Sequence, residues 1–187
     1  MAELARKLWT LDEFLAFDDG TDRRYELVRG EIVAIAPPSG IHSVLAGRLA
    51  LVIGSRLKPP CEVGVEAGII LPDRDDTWYQ ADLAIGCSGF TPERHLADPV
   101  LIVEVLSPST SATDLARKLP DYRTLPSLRD ILVVSSLEPR IEHFARAADG
   151  WKVQDHRGEG VVRIPALGVE VDLAALYHRL LPVAEAG

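Results

Sequence analysis

The run Val100-Leu101-Ile102-Val103-Glu104-Val105-Leu106 constrains the chain more than any other segment. It is apolar apart from one residue and rich in β-branched side chains. It is also too short for a buried helix, so it reads as a strand covered on both faces. Glu104 interrupts it. The two-residue period of a strand puts Val100, Ile102, Glu104 and Leu106 on one face, which carries an ionisable group into the interior. Burying even a neutral polar group without a partner costs about 2–7 kcal/mol. Glutamate is almost never fully buried unless it is paired or bound to a metal.

The preceding apolar segment, "QADLAIG", carries the same anomaly. There Asp82 shares a face with Ala84 and Gly86. Two carboxylates on adjacent strands can project into one cleft, which is what a hard divalent cation uses. Mg²⁺ takes oxygen ligands from one or two carboxylates, with water and substrate phosphate completing its shell. Bound there, it lowers the pKa of a water and stabilises charge on a phosphoryl group. An ion pair with an arginine is the alternative for both acids, and a turn or cap is a further one for Asp82.

Around these segments the sequence predicts alternating elements. "WTLDEFLAFDD" reads as a short helix with Thr10 and Glu13 as a capping pair. "YELVRGEIVAIA" reads as a hairpin turning at Arg29-Gly30. Apolar residues at 41, 44, 45, 49, 52, 53 and 57 have helical spacing, and Pro59-Pro60 closes that helix. Strands are expected over "CEVGVEAGIIL", "YQADLAIG", "VLIVEVLS" and "RDILVVSS". "CSGFTPERHLADP" is expected as a loop and "TSATDLARKLPDYRTL" as a helix that Pro120 kinks or delays to about Leu119. A hairpin turning near Asp149-Gly150 and a closing helix, "DLAALYHRLL", complete the chain. The expected class is α/β (α+β): a mixed central sheet flanked by helices, with additional hairpins, forming one domain over 1–187 with its core at about 41–136.

Composition narrows the setting. With 47 % hydrophobic and 26 % charged residues, the 187-residue chain has the make-up of a soluble globular protein. No window is long and apolar enough to span a membrane, and the N-terminus lacks the apolar core of a secretion signal, so a cytoplasmic protein is expected. Cys61 and Cys87, isolated and without metal-ligand spacing, are expected as free thiols. A net charge of −8 argues against a nonspecific nucleic-acid binder. Yet residues 23–58 hold Arg23, Arg24, Arg29, Arg48, Arg56 and Lys58 against only Glu26 and Glu31. That strip could face a polyanion or simply be solvated.

Asp82 followed by Glu104 inside a hydrophobic strand resembles the PD-(D/E)XK nuclease pattern. More particularly, "RRYELVRGEIV", "QADLAI", "LIVEVLSPST" and "DLARKLPDY", in that order, resemble the segments of the putative restriction endonuclease family within that superfamily. The resemblance runs from about residue 8 to residue 145. It implies a restriction-endonuclease-like core, Mg²⁺ or Mn²⁺ as cofactor, and DNA as substrate. The chain departs from the superfamily pattern in three places, one of them Pro120 in the expected helix. Ala81 stands where a proline usually precedes the aspartate, and Leu106 stands where the lysine usually lies. The resemblance supplies Lys118, on the following helix, as the replacement, with a solvated lysine as the alternative.

The metal ligands expected are Asp82, Glu104 and the main-chain carbonyl of Val105. Glu26, in the "YEL" element, is expected as a further catalytic acid or as the partner of Arg23 or Arg24. His42, ahead of the long helix, and Arg48 within it are expected to meet phosphate, His42 with a proton shuttle, a helix cap or a merely exposed side chain as its alternatives. Ser107 and Tyr122 are expected in support. Calcium-loop, Walker, nucleophile-elbow and zinc-hydrolase motifs do not occur.

These residues lead to a metal-dependent endonuclease hydrolysing DNA. An inactive nuclease-fold binding or assembly module is the rival reading, and an RNA-cleaving enzyme is a third. A homodimer is an expectation of the same kind, since cutting both strands of a duplex calls for two sites.

Overall fold

The computed structural model describes residues 7–91, 95–96, 98–106 and 112–181. In chain order the elements are α1 (Leu11–Leu15), β1 (Tyr25–Val28), β2 (Glu31–Ala34), α2 (Gly40–Gly54), β3 (Glu62–Ile70), β4 (Trp78–Gly86), β5 (His95–Leu96), β6 (Pro99–Leu106), α3 (Ala112–Tyr122), β7 (Asp130–Ser135), β8 (Arg140–Ala147), β9 (Gly150–Arg157), β10 (Val161–Ile164), β11 (Val169–Asp172) and α4 (Leu173–Tyr177).

The apolar run at 100–106 is β6, and it has strands on both sides. It lies antiparallel to β4 and parallel to β7. Parallel neighbours need a long crossover, and α3 supplies it. The sheet continues through β8 and β9 as an antiparallel hairpin, so it is mixed.

β4 organises the other half. Trp78 pairs with both Ile70 of β3 and Leu27 of β1, while Leu83 pairs with both Val65 of β3 and Val103 of β6. A strand has two edges. β3 therefore occupies one along its whole length, and β1 and β6 share the other, one at each end. Between them, at residues 79–82, the sheet forks.

The two faces of the sheet are covered differently. Leu45, Leu49 and Ile53 of α2 pack with Leu83, Ile85, Leu101, Val103 and Val105, together with α4 and the β10–β11 ribbon. On the opposite face Ile102 packs with Ala84, Ile131, Val133 and, from α3, Leu115 and Tyr122. Glu104 shares the face of Ile102 and so lies under α3.

Several local expectations hold. The Thr10–Glu13 capping box forms in both directions. Arg29 and Gly30, at φ +54° and +79°, make the left-handed two-residue turn that a twisted hairpin prefers. Ser39 caps α2.

Others are corrected. Cys61 and Cys87 are not free thiols: they form a disulfide. The β3–β4 register pairs Glu62 with Gly86, and one step further it sets Cys61 opposite Cys87. α3 neither breaks nor starts at Leu119 but runs from Ala112 through Pro120. Only the bond to the Ala116 carbonyl is forfeited, and the helix ends two residues later. The expected loop at 87–99 contains the short β5, which pairs with β3. The β10–β11 ribbon was not foreseen.

Candidate active site

The fork brings the anomalous carboxylates together. Leu83 pairs with Val103, and continuing that antiparallel register one step sets Asp82 opposite Glu104. Asp82 does not rejoin the ladder. Its carboxylate instead accepts a 2.6 Å hydrogen bond from the Val105 main-chain N–H. The N–H and C=O of a strand residue share an edge, so the Val105 carbonyl is on the Asp82 side of β6. Across β4 the matching β3 residue, Glu66, drops out of the pairing and has φ +53°. That conformation is sparsely populated for a non-glycine residue and marks a local distortion beside Asp82.

Lys118 enters from above. It falls on the buried stripe of α3, between Leu115 and Tyr122, where helical spacing would place an apolar side chain. Its ammonium is 2.7 Å from Glu26 Oε1 and 3.6 Å from Glu104 Oε1. Lys118 and Glu26 also repair the fork. The Gln80 N–H donates to Glu26 at 2.8 Å, and Lys118 donates to the Gln80 carbonyl at 3.4 Å.

Glu104 is buried, and desolvation pushes its carboxyl up to about 8. Lys118 pulls the other way, the charges of Asp82 and Glu26 push further up, and the 2.6 Å hydrogen bond from the Tyr122 hydroxyl favours the anion. Burial, followed by the Glu104 charge, in turn holds the Tyr122 phenol well above its ordinary range.

His42 comes from the other face of the sheet. The third residue of α2, it lies buried with Nε2 3.1 Å from Asp82 Oδ2. That hydrogen bond raises its pKa against the opposing effect of burial. Its Nδ1 has no hydrogen-bond partner among the described residues.

The structure thus gathers Asp82, Glu104, Val105, Lys118, Glu26, Tyr122 and His42 at one place. Arg48 is not among them. Its guanidinium donates to the carbonyls of Leu176 and His178 at 2.7 and 2.9 Å, so it ties α2 to the end of α4. Ser107 lies outside the described residues. A neighbouring network escaped the sequence reading. Asp121 accepts from the Tyr79 hydroxyl at 2.7 Å and from Arg29 at 2.8 Å, which links the tip of the β1–β2 hairpin to α3. The only signal was an acid between Lys118 and Tyr122, with nothing to name its partners.

No three His, Cys, Asp or Glu side chains among the described residues are arranged to hold a metal unaided. A Mg²⁺ site does not need three, because water and phosphate fill the shell. Two opposed carboxylates, one of them buried and short of compensating positive charge, suit such an ion.

The mixed sheet, its fork and the α3 crossover form a restriction-endonuclease-like fold. The crystal structure of a putative nuclease belonging to DUF820 from Anabaena variabilis superposes with a TM-score of 0.75 at 19 % identity, covering 92 % of this chain and 99 % of that one. Residues 11–177 match the family described as "Uma2: Putative restriction endonuclease", and the chain belongs to that family. Two Synechocystis sp. proteins described as uncharacterized, slr1290 and sll1609, are similar along their lengths. The first is 27 % identical over 90 % of this chain and 91 % of its own; the second is 29 % identical over 85 % and 93 %. No helix among the described residues is long and apolar enough to cross a membrane.

Proposed function

We propose that this chain hydrolyses phosphodiester bonds in DNA with Mg²⁺ or Mn²⁺ as cofactor. The observation that carries the reading is the opposition of Asp82 and Glu104 across the fork, with the Lys118 ammonium 3.6 Å from Glu104. Asp82, Glu104 and the Val105 carbonyl are the residues that would hold the cation. When bound, the cation supplies Lewis-acid stabilisation of the phosphoryl oxygens and a more acidic water.

The chain's own groups do the rest. Lys118, held by Glu26, donates to the attacking water or to the phosphoryl oxygen and steadies the negative charge that develops there. Tyr122 fixes the rotamer of Glu104, and His42 fixes Asp82. In the reaction a water oxygen bonds to phosphorus, the bond to the leaving sugar oxygen breaks, and that oxygen departs with a proton.

Plasmid cleavage with Mg²⁺ or Mn²⁺ tests this directly. Wild type should nick or linearise the plasmid, and Asp82→Asn, Glu104→Gln and Lys118→Met should each lose at least about a hundredfold in rate. Equal activity in all four proteins would defeat the proposal.

The engagement of Lys118 with the Gln80 carbonyl favours a second reading, a nuclease-fold binding module in which the lysine only closes the fork. In that case Mn²⁺ would leave thermal stability unchanged. In the first reading it raises wild-type stability and not that of Glu104→Gln.

A further inference from the structure

A polyanionic substrate needs cations beside the acidic cleft, and most arginines of the basic strip are committed elsewhere. Arg29 is held by Asp121, Arg48 by the α4 carbonyls, and Arg56 by the Val52 carbonyl. Arg24 is placed differently. Its carbonyl accepts from the Ile35 N–H, so the strand geometry of β1 extends back to it. Two residues before Glu26, it shares that residue's face.

The Arg24 guanidinium pairs with the Glu66 carboxylate. β1 and β3 lie on opposite edges of β4, so this pair has to cross β4, and Glu66 sits in register with Asp82. Arg24 therefore reaches across the mouth of the fork. Because Glu66 lies between the Val65–Leu83 and Ala67–Ala81 pairs, opposite Asp82, the ion pair belongs to the Asp82 side of the cluster.

The side chains of Arg24 and Glu66 are 35 % and 47 % exposed. Ion pairs at such exposure contribute little to stability and are readily exchanged. A phosphate offers a guanidinium stronger, two-pronged hydrogen bonding. The φ of +53° at Glu66 is a strained backbone with no role in the ladder, yet it accompanies the turn of its carboxylate toward Arg24.

We propose that Arg24 is a phosphate contact at the mouth of the Asp82–Glu104 cleft, and that Glu66 is a stand-in partner displaced when a nucleic-acid backbone docks. The inference rests on the nuclease reading for its substrate class and can be tested without catalysis. The measurement is fluorescence anisotropy of a short labelled DNA duplex in EDTA, between about 50 and 200 mM salt. Arg24→Ala should weaken binding about tenfold and lower the slope of log K against log salt by about 0.9, one phosphate's worth. Arg24→Lys should keep the slope. Glu66→Gln should tighten binding about threefold, and that gain should vanish in the Arg24→Ala background.

An unchanged slope in Arg24→Ala, or an equal Glu66→Gln gain with and without Arg24, would overturn the proposal, since either would reduce the pair to bulk surface charge. Loss of metal-dependent cleavage chemistry is a separate failure. It would show in the plasmid assay and leave the binding cycle intact.

Discussion

Replacing Glu104 by Gln should make the metal-free protein more stable in alkaline solution, although it removes a residue at the centre of the site. The folded-state pKa of Glu104 is about 8, against an ordinary 4.5. The folded protein therefore holds this proton more tightly than the unfolded chain does. Below about pH 4.5 both states are protonated and burial carries no ionic penalty. As pH climbs from 4.5 to 8 the unfolded state ionises first, and wild-type stability falls by about 1.4 kcal/mol per pH unit. Over the whole window the loss has a ceiling on the order of 5 kcal/mol, reduced by coupling to Lys118 and Asp82. Glutamine has no such slope.

Urea unfolding in EDTA from pH 5 to pH 9 reads the difference. Near pH 5 the two proteins should be close, and by pH 8 Glu104→Gln should lead by at least about 2 kcal/mol. The raised pKa of His42 also costs stability as pH rises. The main cause of that raised pKa, the Asp82 hydrogen bond, is present in both proteins, so the difference reports chiefly on Glu104. Adding Mg²⁺ at pH 8 should restore wild type and leave the variant unmoved. Stability curves for the two proteins that run parallel across the pH range would refute the argument, because Glu104 would then not be the buried, high-pKa group.

Three further outcomes follow from the same geometry. Tyr122→Phe should lower stability by about 1–2 kcal/mol in urea unfolding and move the Glu104 transition to higher pH, because the lost hydroxyl favours the carboxylate. Asp121→Asn, which deprives Arg29 of its ionic partner but leaves an acceptor for Tyr79, should cost about 1–2 kcal/mol by the same assay. Reduction of the Cys61–Cys87 bridge, which spans 26 residues, should cost about 3 kcal/mol, read as a drop in Tm with dithiothreitol that the Cys61→Ser/Cys87→Ser protein does not show.

The carboxylates were legible in the sequence because each breaks a strand pattern that physical chemistry makes strict. An acid at Glu104 or Asp82 has to be explained, so two segments sufficed to bring the residues under suspicion. Lys118 was legible only through the family resemblance. That it occupies an apolar slot of the buried Leu115–Tyr122 stripe is seen only in the folded chain. What stayed hidden depends on register and on long-range partners. Cys61 and Cys87 meet only because β3 and β4 pair with one particular alignment, and a spacing of 26 residues does not announce that. Arg48 looked available for phosphate because its carbonyl partners lie 128 and 130 residues away. His42 was readable as a residue at a helix start, but not as one reaching through to Asp82 from the far face. The β10–β11 ribbon, built of two four-residue strands, carries too short an alternation to stand out.

The parting of β1 from β6 along β4 bears on how relatives of this protein should be judged. Glu26 and Lys118 satisfy exposed main-chain groups of Gln80, so a descendant that had abandoned chemistry would still be under pressure to keep both. Asp82 has a like duty, since it satisfies the Val105 N–H, whereas Glu104 satisfies no main-chain group among the described residues and its burial is a liability once no cation is needed. In degenerate members of the lineage, Glu104 should therefore disappear before Asp82, Glu26 or Lys118 does.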